Sequence, residues 1–308
     1  MNIIYLGTPR FAVTPLDMLI KAGHNVVAVV TQVDKVNARG KKIVYSDIKT
    51  YAINNNLPLY QFESIKKQGV EVLSKLNADI MITASYGQIL SEEVLAICKY
   101  GVFNIHASLL PKLRGASPVA SALLNGESKT GITIMQTDVG LDDGKMLLKD
   151  EIEIDAKDNQ QTLMGKLSAL GGELIVKVLS NVDYYIENAK IQNEVEATHC
   201  KKITKQEALI DFGCSAVSIN NKIRAFYGNP TAFFECRGEA YKVFEAEVVK
   251  CCSKQSGVVM HYDKVNGFVI SCGVDAISIK VIQKQGGKVL SIKDFMNGNK
   301  FGIGQIIK

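Results

Sequence analysis

The first thirty residues change regularly from apolar runs to amphipathic spacing. Residues 2–6 form an apolar run that is too short for a helix and ends at a Gly-Thr-Pro turn. Residues 11–20 then place apolar side chains at helical spacing, and after the breaker Gly23 residues 26–30 repeat the buried-strand pattern. The pattern therefore predicts one β-α-β unit, which should wind right-handed.

Similar patterns continue through the first half of the chain. Buried strands are predicted at residues 80–83 and 102–106, and a long amphipathic helix is predicted around residues 162–179. Buried strands that alternate with helices are typical of a sheet covered on both faces. The fold class is therefore α/β, with a Rossmann-like, mostly parallel sheet and helices on both faces. The first turn lacks Gly-x-Gly-x-x-Gly, so we do not expect NAD.

The C-terminal region has a different pattern. A short helix at residues 216–225 precedes five strand-length segments separated by Gly, Asp and Lys turns. These segments are residues 232–236, 240–249, 257–261, 267–271 and 276–282. Five short strands predict a small OB-like β-barrel, a fold that often binds nucleic acid. A plain sandwich used only for packing is the alternative.

The patterns predict three regions: a catalytic domain at residues 1–183, a linker at 184–205 and the barrel at 206–308. The two ends of the chain also differ in net charge. Residues 1–200 carry 20 Lys and Arg against 22 Asp and Glu, whereas residues 201–308 carry 16 against 9. A basic C-terminal domain favours a polyanionic partner. A lysine-rich solvated surface is the alternative.

Composition narrows the cellular setting. The seven cysteines are an odd number and lack Cys-x-x-Cys spacing, which argues against a disulfide framework or a zinc ribbon. No run of about 18 apolar residues occurs, and no charged leader precedes an apolar segment. We therefore expect a cytoplasmic protein that has no membrane segment.

The residues best suited to chemistry surround the predicted strand at 102–106. Asn104 and His106 are two apart, so on a strand they share one face. At the carboxyl end of a parallel strand such a pair opens into the crevice where α/β proteins bind ligands. A lone strand histidine is more often a satisfied core residue, but burying two polar groups on one face is costly unless both have partners. The apolar segment 108–111 that follows could form one wall of a binding site for a flat ligand.

An acidic loop supplies a possible third group. Asp138, Asp142 and Asp143 follow the predicted strand at 131–136. A carboxylate there could orient His106 or accept a proton from an amine. Asp-Gly is also a common turn pair, so a purely structural turn is the alternative.

Four stretches of the chain carry a resemblance to a known family: Leu6–Ala12, Ser85–Leu90, Asn104–Pro118 and Gly131–Gly144. In order and spacing they resemble the methionyl-tRNA formyltransferase family of folate-dependent formyltransferases. The Asn-x-His and Leu-Asp-x-Gly elements are shared broadly among folate-dependent formyltransferases, whereas Gly-Thr-Pro-x-Phe-Ala is more discriminating. The resemblance extends over essentially the whole chain.

The resemblance implies roles for individual residues. The catalytic residues are Asn104, His106 and Asp142. The tetrahydrofolate-binding residues are Ser108, Leu109, Leu110, Pro111, Tyr86, Gly87, Gln88 and Ile89. The tRNA-binding residues are Arg39, Lys41 and Lys42, which lie on a basic stretch too long for a tight turn.

The resemblance also implies the reaction. A formyl group would pass from 10-formyltetrahydrofolate to the α-amine of methionyl initiator tRNA, without a metal, in a monomeric bacterial protein. One alternative is a formyltransferase acting on a small amine such as glycinamide ribonucleotide or an amino sugar. The other is a non-catalytic RNA-binding protein.

Overall fold

The structure is a computed structural model that describes residues 1–36, 43–228, 230–252 and 255–307. Its internal contacts divide the chain into two compact units. The first unit comprises Met1–Pro118, Lys129–Glu153 and Met164–Cys200. The second unit comprises Val119–Ser128, Ile154–Leu163 and Lys201–Lys308.

A seven-stranded sheet forms the centre of the first unit. The strands of this unit are β1 (Asn2–Gly7), β2 (Asn25–Thr31), β3 (Lys35–Val36), β4 (Ile43–Val44), β5 (Leu59–Gln61), β6 (Ile80–Ala84), β7 (Val102–His106), β8 (Arg114–Gly115), β9 (Lys129–Gln136), β10 (Met146–Glu153) and β11 (His199–Cys200). The sheet order is β10-β9-β7-β6-β1-β2-β5, and only β9 and β10 run antiparallel to their neighbours. The predicted fold class, with its mostly parallel sheet, is confirmed.

Helices cover both faces of this sheet. The helices within the first 200 residues are α1 (Val13–Lys21), α2 (Asp47–Asn54), α3 (Ile65–Leu73), α4 (Glu92–Leu95), α5 (Pro118–Leu124), α6 (Gln160–Ser180) and α7 (Val182–Glu187). All of α5 after Pro118, and α6 as far as Leu163, belong to the second unit. On one face Ile65 of α3 and Val94 of α4 join a buried cluster with Val102 of β7. On the other face α6 approaches so closely that a Cβ on Gly171 would lie 2.7 Å from Ile105. Of the helices described, none has the combination of length and apolar composition that crossing a membrane requires.

The strand register brings several loops to one edge of the sheet. Gly7 pairs with Ala84 across β1 and β6, and Thr83 pairs with Asn104 across β6 and β7. These parallel strands therefore end side by side, and the loops that follow them meet at one edge. β9 is antiparallel to β7, with His106 paired to Thr133 and Phe103 paired to Gln136. The chain therefore leaves β9 beside the first residues of β7. It must fold back to reach the edge at which the parallel strands end.

The second unit is built on an antiparallel sheet with an aromatic core. Its elements are α8 (Ala216–Ala225), β12 (Phe233–Cys236), β13 (Glu239–Val249), β14 (Val259–Asp263), β15 (Gly267–Ser271), β16 (Ala276–Lys284), β17 (Leu290–Ser291) and α9 (Ile292–Phe295). The order is β12-β13-β16-β15-β14, with β17 paired to β16. The five predicted strands are present, and the short β17 is an additional one that the sequence did not predict. Phe234, Phe268 and Phe301 contact one another in the core.

Candidate active site

The three side chains predicted as catalytic lie together beside β7. Asn104 Nδ2 donates to Asp142 Oδ1 over 3.3 Å, and His106 Nδ1 lies 3.6 Å from Asp142 Oδ2. The backbone N–H of Gly115 donates to the same Oδ2 over 2.8 Å. One carboxylate is thus the common partner of an amide, an imidazole and a backbone N–H.

Local backbone geometry explains why Asp142 reaches this position. Asn104 and His106 alternate onto one face of β7, as their spacing predicts. Asp142 lies in the connection from β9 to β10 with φ of 52°, a left-handed conformation that aspartate tolerates better than most residues. A Cβ on Gly144 would overlap the carbonyl oxygen of Gln136, so the tight return after Asp142 requires glycine. Asp142 therefore occupies a turn and the site at once.

The His106 ring is almost fully buried and faces an oxygen atom on each side. Its side chain is 5% exposed, and Nε2 lies 3.1 Å from the carbonyl oxygen of Leu113. A carbonyl oxygen only accepts hydrogen bonds, so this contact places a proton on Nε2. Nδ1 faces Oδ2 of Asp142 at 3.6 Å. The ring is therefore built into a polar network.

The predicted folate segment 108–111 is mostly turned into the protein. Ser108, Leu110 and Pro111 are buried. The Ser108 hydroxyl donates to the carbonyl of Lys112 over 2.6 Å, and Thr133 Oγ1 donates to the Ser108 carbonyl over 2.7 Å. These bonds hold the segment in shape, and Leu109 is the one of its four side chains that is partly exposed.

The second predicted folate segment, residues 86–89, also consists mostly of residues held by the protein itself, with one exposed side chain. Tyr86 is 3% exposed, and its burial raises the pKa of its phenol to about 12. Gln88 accepts from the N–H of Ile65 and donates to the carbonyl of Phe62, so its amide holds neighbouring loops. The carbonyl of Gly87 accepts from the Gln32 amide, whereas Ile89 is 85% exposed. Ile89 is the member of this segment best placed to meet an apolar ligand.

The predicted tRNA-binding residues Arg39, Lys41 and Lys42 lie outside the described residues. The strands on either side of them, β3 and β4, pair with each other: Lys35 faces Val44, and Val36 faces Ile43. Val36, Ile43 and Val44 are exposed. The structure therefore describes the two short strands that flank this stretch.

Sequence reasoning missed a second group of polar side chains at this site. Arg114 is 3% exposed, and its Nε donates to Gln192 Oε1 over 2.9 Å. Its terminal nitrogens donate to the two carboxylate oxygens of Glu194 over 3.0 and 2.8 Å. The Arg114 guanidinium lowers the pKa of the Glu194 carboxyl. Gln192 lies 50 residues from Asp142 in a polar stretch, and no sequence spacing connects the two.

The side chains of the site are suited to proton transfer and to hydrogen-bond donation. Among the described residues, no three His, Cys, Asp or Glu side chains are grouped so that they could hold a metal ion. Asn104 can donate to an oxygen that gains negative charge, and Asp142 can accept a proton. This combination suits nitrogen attack on a carbonyl carbon.

Comparison with known proteins agrees with this chemistry. Residues 1–179 match the family profile "Formyl transferase", and residues 202–300 match "Formyl transferase, C-terminal domain". The methionyl-tRNA formyltransferase of Nitrosomonas europaea is 42% identical over 99% of this chain and 95% of its own length. That of Pseudoalteromonas translucida is 40% identical over 97% of this chain and 94% of its own.

A solved structure shares the fold at lower sequence identity. It is an N-formyltransferase of Helicobacter canadensis in complex with folinic acid and dTDP-3-aminofucose. It has a TM-score of 0.64 and 22% identity, and the similarity covers 90% of this chain and 98% of that one.

Proposed function

The chain belongs to the formyl transferase family, and we propose that it transfers the formyl group of 10-formyltetrahydrofolate to the α-amine of methionyl initiator tRNA. The match of the whole chain to methionyl-tRNA formyltransferases at about 40% identity carries this conclusion. It confirms the resemblance drawn from the sequence motifs. The Helicobacter structure, at 22% identity, supports the fold and not the acceptor.

We propose that Asn104, His106 and Asp142 are the catalytic residues. 10-Formyltetrahydrofolate, as the co-substrate, supplies a carbonyl carbon bonded to a nitrogen leaving group. The attacking α-amine has to be neutral, and its ordinary pKa of about 7.7–8.0 leaves roughly a tenth of it neutral at pH 7, so only a modest shift is required. Asp142 accepts the proton that the amine loses as the new C–N bond forms.

Asn104 stabilises the negative charge that develops on the formyl oxygen. One N–H of its amide is directed to Asp142, and the described residues offer no acceptor for the other. That free N–H is the observation by which the site fits a carbonyl substrate, and the exposed Ile89 adds an apolar contact for a flat ring. His106 carries a proton on Nε2, which is hydrogen-bonded to the carbonyl oxygen of Leu113. When this hydrogen bond is exchanged for one to the substrate, the same N–H can donate to the formyl oxygen or protonate the departing nitrogen.

The proposed division of labour follows the two family matches. Residues 1–183 carry the chemistry, and residues 206–308 bind tRNA together with Arg39, Lys41 and Lys42. Residues 184–205 connect the two regions, and as far as Cys200 they belong to the first compact unit. The excess of basic residues after residue 200 supports a polyanionic partner. We also propose that the protein is a cytoplasmic monomer; the free cysteines support a reducing compartment, and sedimentation would measure the oligomeric state.

A formylation assay with competing acceptors tests the proposal. The protein is incubated with 10-formyltetrahydrofolate and, in separate reactions, with methionyl initiator tRNA, methionyl elongator tRNA, glycinamide ribonucleotide and dTDP-3-aminofucose. We expect transfer to the initiator tRNA to have the highest kcat/KM. Faster transfer to a small amine would overturn the acceptor assignment, and tRNA binding without folate binding would indicate an RNA-binding protein.

A further inference from the structure

Residues 190–200 contact both loops that build the candidate site, and we call them the clamp segment. Lys190 and Met146 exchange two backbone hydrogen bonds of 2.8 Å at the start of β10. Further along, β11 pairs in parallel with β8. The clamp segment therefore joins the chain that follows the Asp142 loop to the chain that follows His106.

The contacts near Leu113 fix the carbonyl that His106 uses. Thr198 Oγ1 accepts from the N–H of Leu113 over 2.9 Å, and the Thr198 carbonyl accepts from the N–H of Arg114 over 2.8 Å. Leu113 has φ of 59°, a conformation that a leucine adopts only when its surroundings impose it. The clamp segment supplies those surroundings.

Gln192 makes the corresponding contacts to the Asp142 loop. Its side chain is 4% exposed, and Nε2 donates to the carbonyls of Asp142 and Gly144, both over 2.8 Å. Its Oε1 accepts from Arg114 Nε over 2.9 Å, so one buried amide joins both loops. Buried polar groups that are fully paired in this way specify one arrangement strongly, because breaking any bond leaves an unpaired group.

The Asp142 loop depends on this support because the rest of it is exposed. Residues 138–141 and Asp143 are all exposed, and Asp142 itself holds a left-handed conformation. Loss of the amide leaves two carbonyls unpaired and lets the backbone at Asp142 move. A displacement of about 1 Å of a reacting group can lower a rate by about 10²-fold.

We propose that Gln192 is a positioning residue for formyl transfer, which acts by fixing the backbone of Asp142 so that the carboxylate stays in contact with Asn104 and His106. The proposal rests on the proposed function. The clamp segment falls within residues 180–201, between the two regions that match family profiles, so the family match does not itself assign it a role.

The variant Gln192→Glu isolates the donor function. It keeps the shape and the acceptor for Arg114 but replaces the amide N–H groups with an oxygen that faces two carbonyls. We expect kcat to fall about 10²-fold while KM for each substrate changes by less than about threefold. Gln192→Met, which has a similar length and no charge, should give a similar fall. The matched control Gln161→Glu makes the same substitution at an exposed position in the first turn of α6 and should stay within about threefold of wild type.

A double-mutant cycle separates positioning from general stability. If Gln192 acts through Asp142, then Gln192→Glu should lower kcat little further in the Asp142→Asn background. A purely structural role predicts that both losses add, and additive losses would overturn the proposal. Binding of folinic acid, measured by calorimetry, should be unchanged in Gln192→Glu if the chain stays folded.

The same experiment distinguishes this proposal from the proposed function. A wild-type protein that formylates no tRNA defeats both. Normal wild-type activity with a large loss in Asp142→Asn, but with kcat of both Gln192 variants within about threefold of wild type, defeats the positioning role alone.

Discussion

The two compact units use their polar side chains in opposite ways. In the first unit, His106, Arg114 and Gln192 are nearly buried and make hydrogen bonds to fixed partners. In residues 201–308 the basic side chains outnumber the acidic ones by 16 to 9, and most lysines are exposed, while the core is formed by contacts between aromatic rings.

This difference indicates which interactions each unit can make with a substrate. Buried and paired dipoles act over a few ångströms in a low-dielectric setting and are little affected by salt. Exposed charges attract a polyanion over a longer range and are screened by salt. Chemistry is thus expected to be sensitive to single substitutions in the first unit, and tRNA affinity to ionic strength and summed charge.

The largest expected effect is that of Asp142→Asn. The variant keeps the shape of the side chain but removes the carboxylate that we propose as the acceptor of the amine proton, so kcat should fall about 10³-fold with little change in KM. Single-turnover formylation measures the chemical step directly. Asp143→Asn, on the exposed neighbouring residue, is the matched control and should stay within about twofold of wild type. Equal kcat in both variants would contradict the assignment.

Asn104→Ala should have the next largest effect. It removes one donor to the oxygen that gains charge, so we expect kcat to fall about 10²-fold. Steady-state kinetics at saturating folate gives the value. A thermal unfolding midpoint close to that of wild type would exclude loss of the fold, and a rise in KM without a fall in kcat would assign Asn104 to binding alone.

Ionic strength should separate the two substrates. Raising salt from about 50 mM to about 200 mM should increase KM for tRNA by about 10- to 100-fold, as expected for two to four phosphate contacts. KM for the folate should change by less than about threefold, because its site depends less on exposed charge. A tRNA KM that does not depend on salt would remove the distinction drawn between the units.

The smallest effect concerns the basic stretch outside the described residues. Replacing Arg39, Lys41 and Lys42 together with alanine should raise KM for tRNA up to about tenfold and reduce the salt slope by about one per lost phosphate contact. The matched control removes the same charge from the exposed Lys66, Lys67 and Lys177. Equal effects of both triple variants would show that net charge, and not this stretch, attracts the tRNA.

Local signals account for the features that sequence reasoning predicted. Apolar periodicity gave a helix at residues 162–179, and α6 extends over Gln160–Ser180. Strand alternation placed Asn104 and His106 on one face, which the register of β7 reproduces. These patterns depend on neighbours within a few residues, so a single sequence is enough to show them.

Features that depend on the path of the chain were not predictable. The polar stretch that includes Gln192 reads as a linker, because nothing in its spacing shows that it returns to the Asp142 loop. Likewise, the composition of residues 108–111 predicts a ligand wall, but it does not show that Thr133, 25 residues beyond Ser108, hydrogen-bonds to the Ser108 carbonyl and to the Leu110 N–H. Both outcomes follow from tertiary contacts between distant segments.

The pairing of β11 with β8 limits where this chain can be joined to a homologous chain in a chimaera. Cys200 is the last residue of the first unit, and its carbonyl lies so close to Gly115 that no larger residue fits there. A chimaera joined at residue 180, where the first family match has ended, would therefore bring a foreign sequence against the loops of the proposed active site. The junction for exchanging C-terminal domains should therefore lie after Cys200, where the first unit ends.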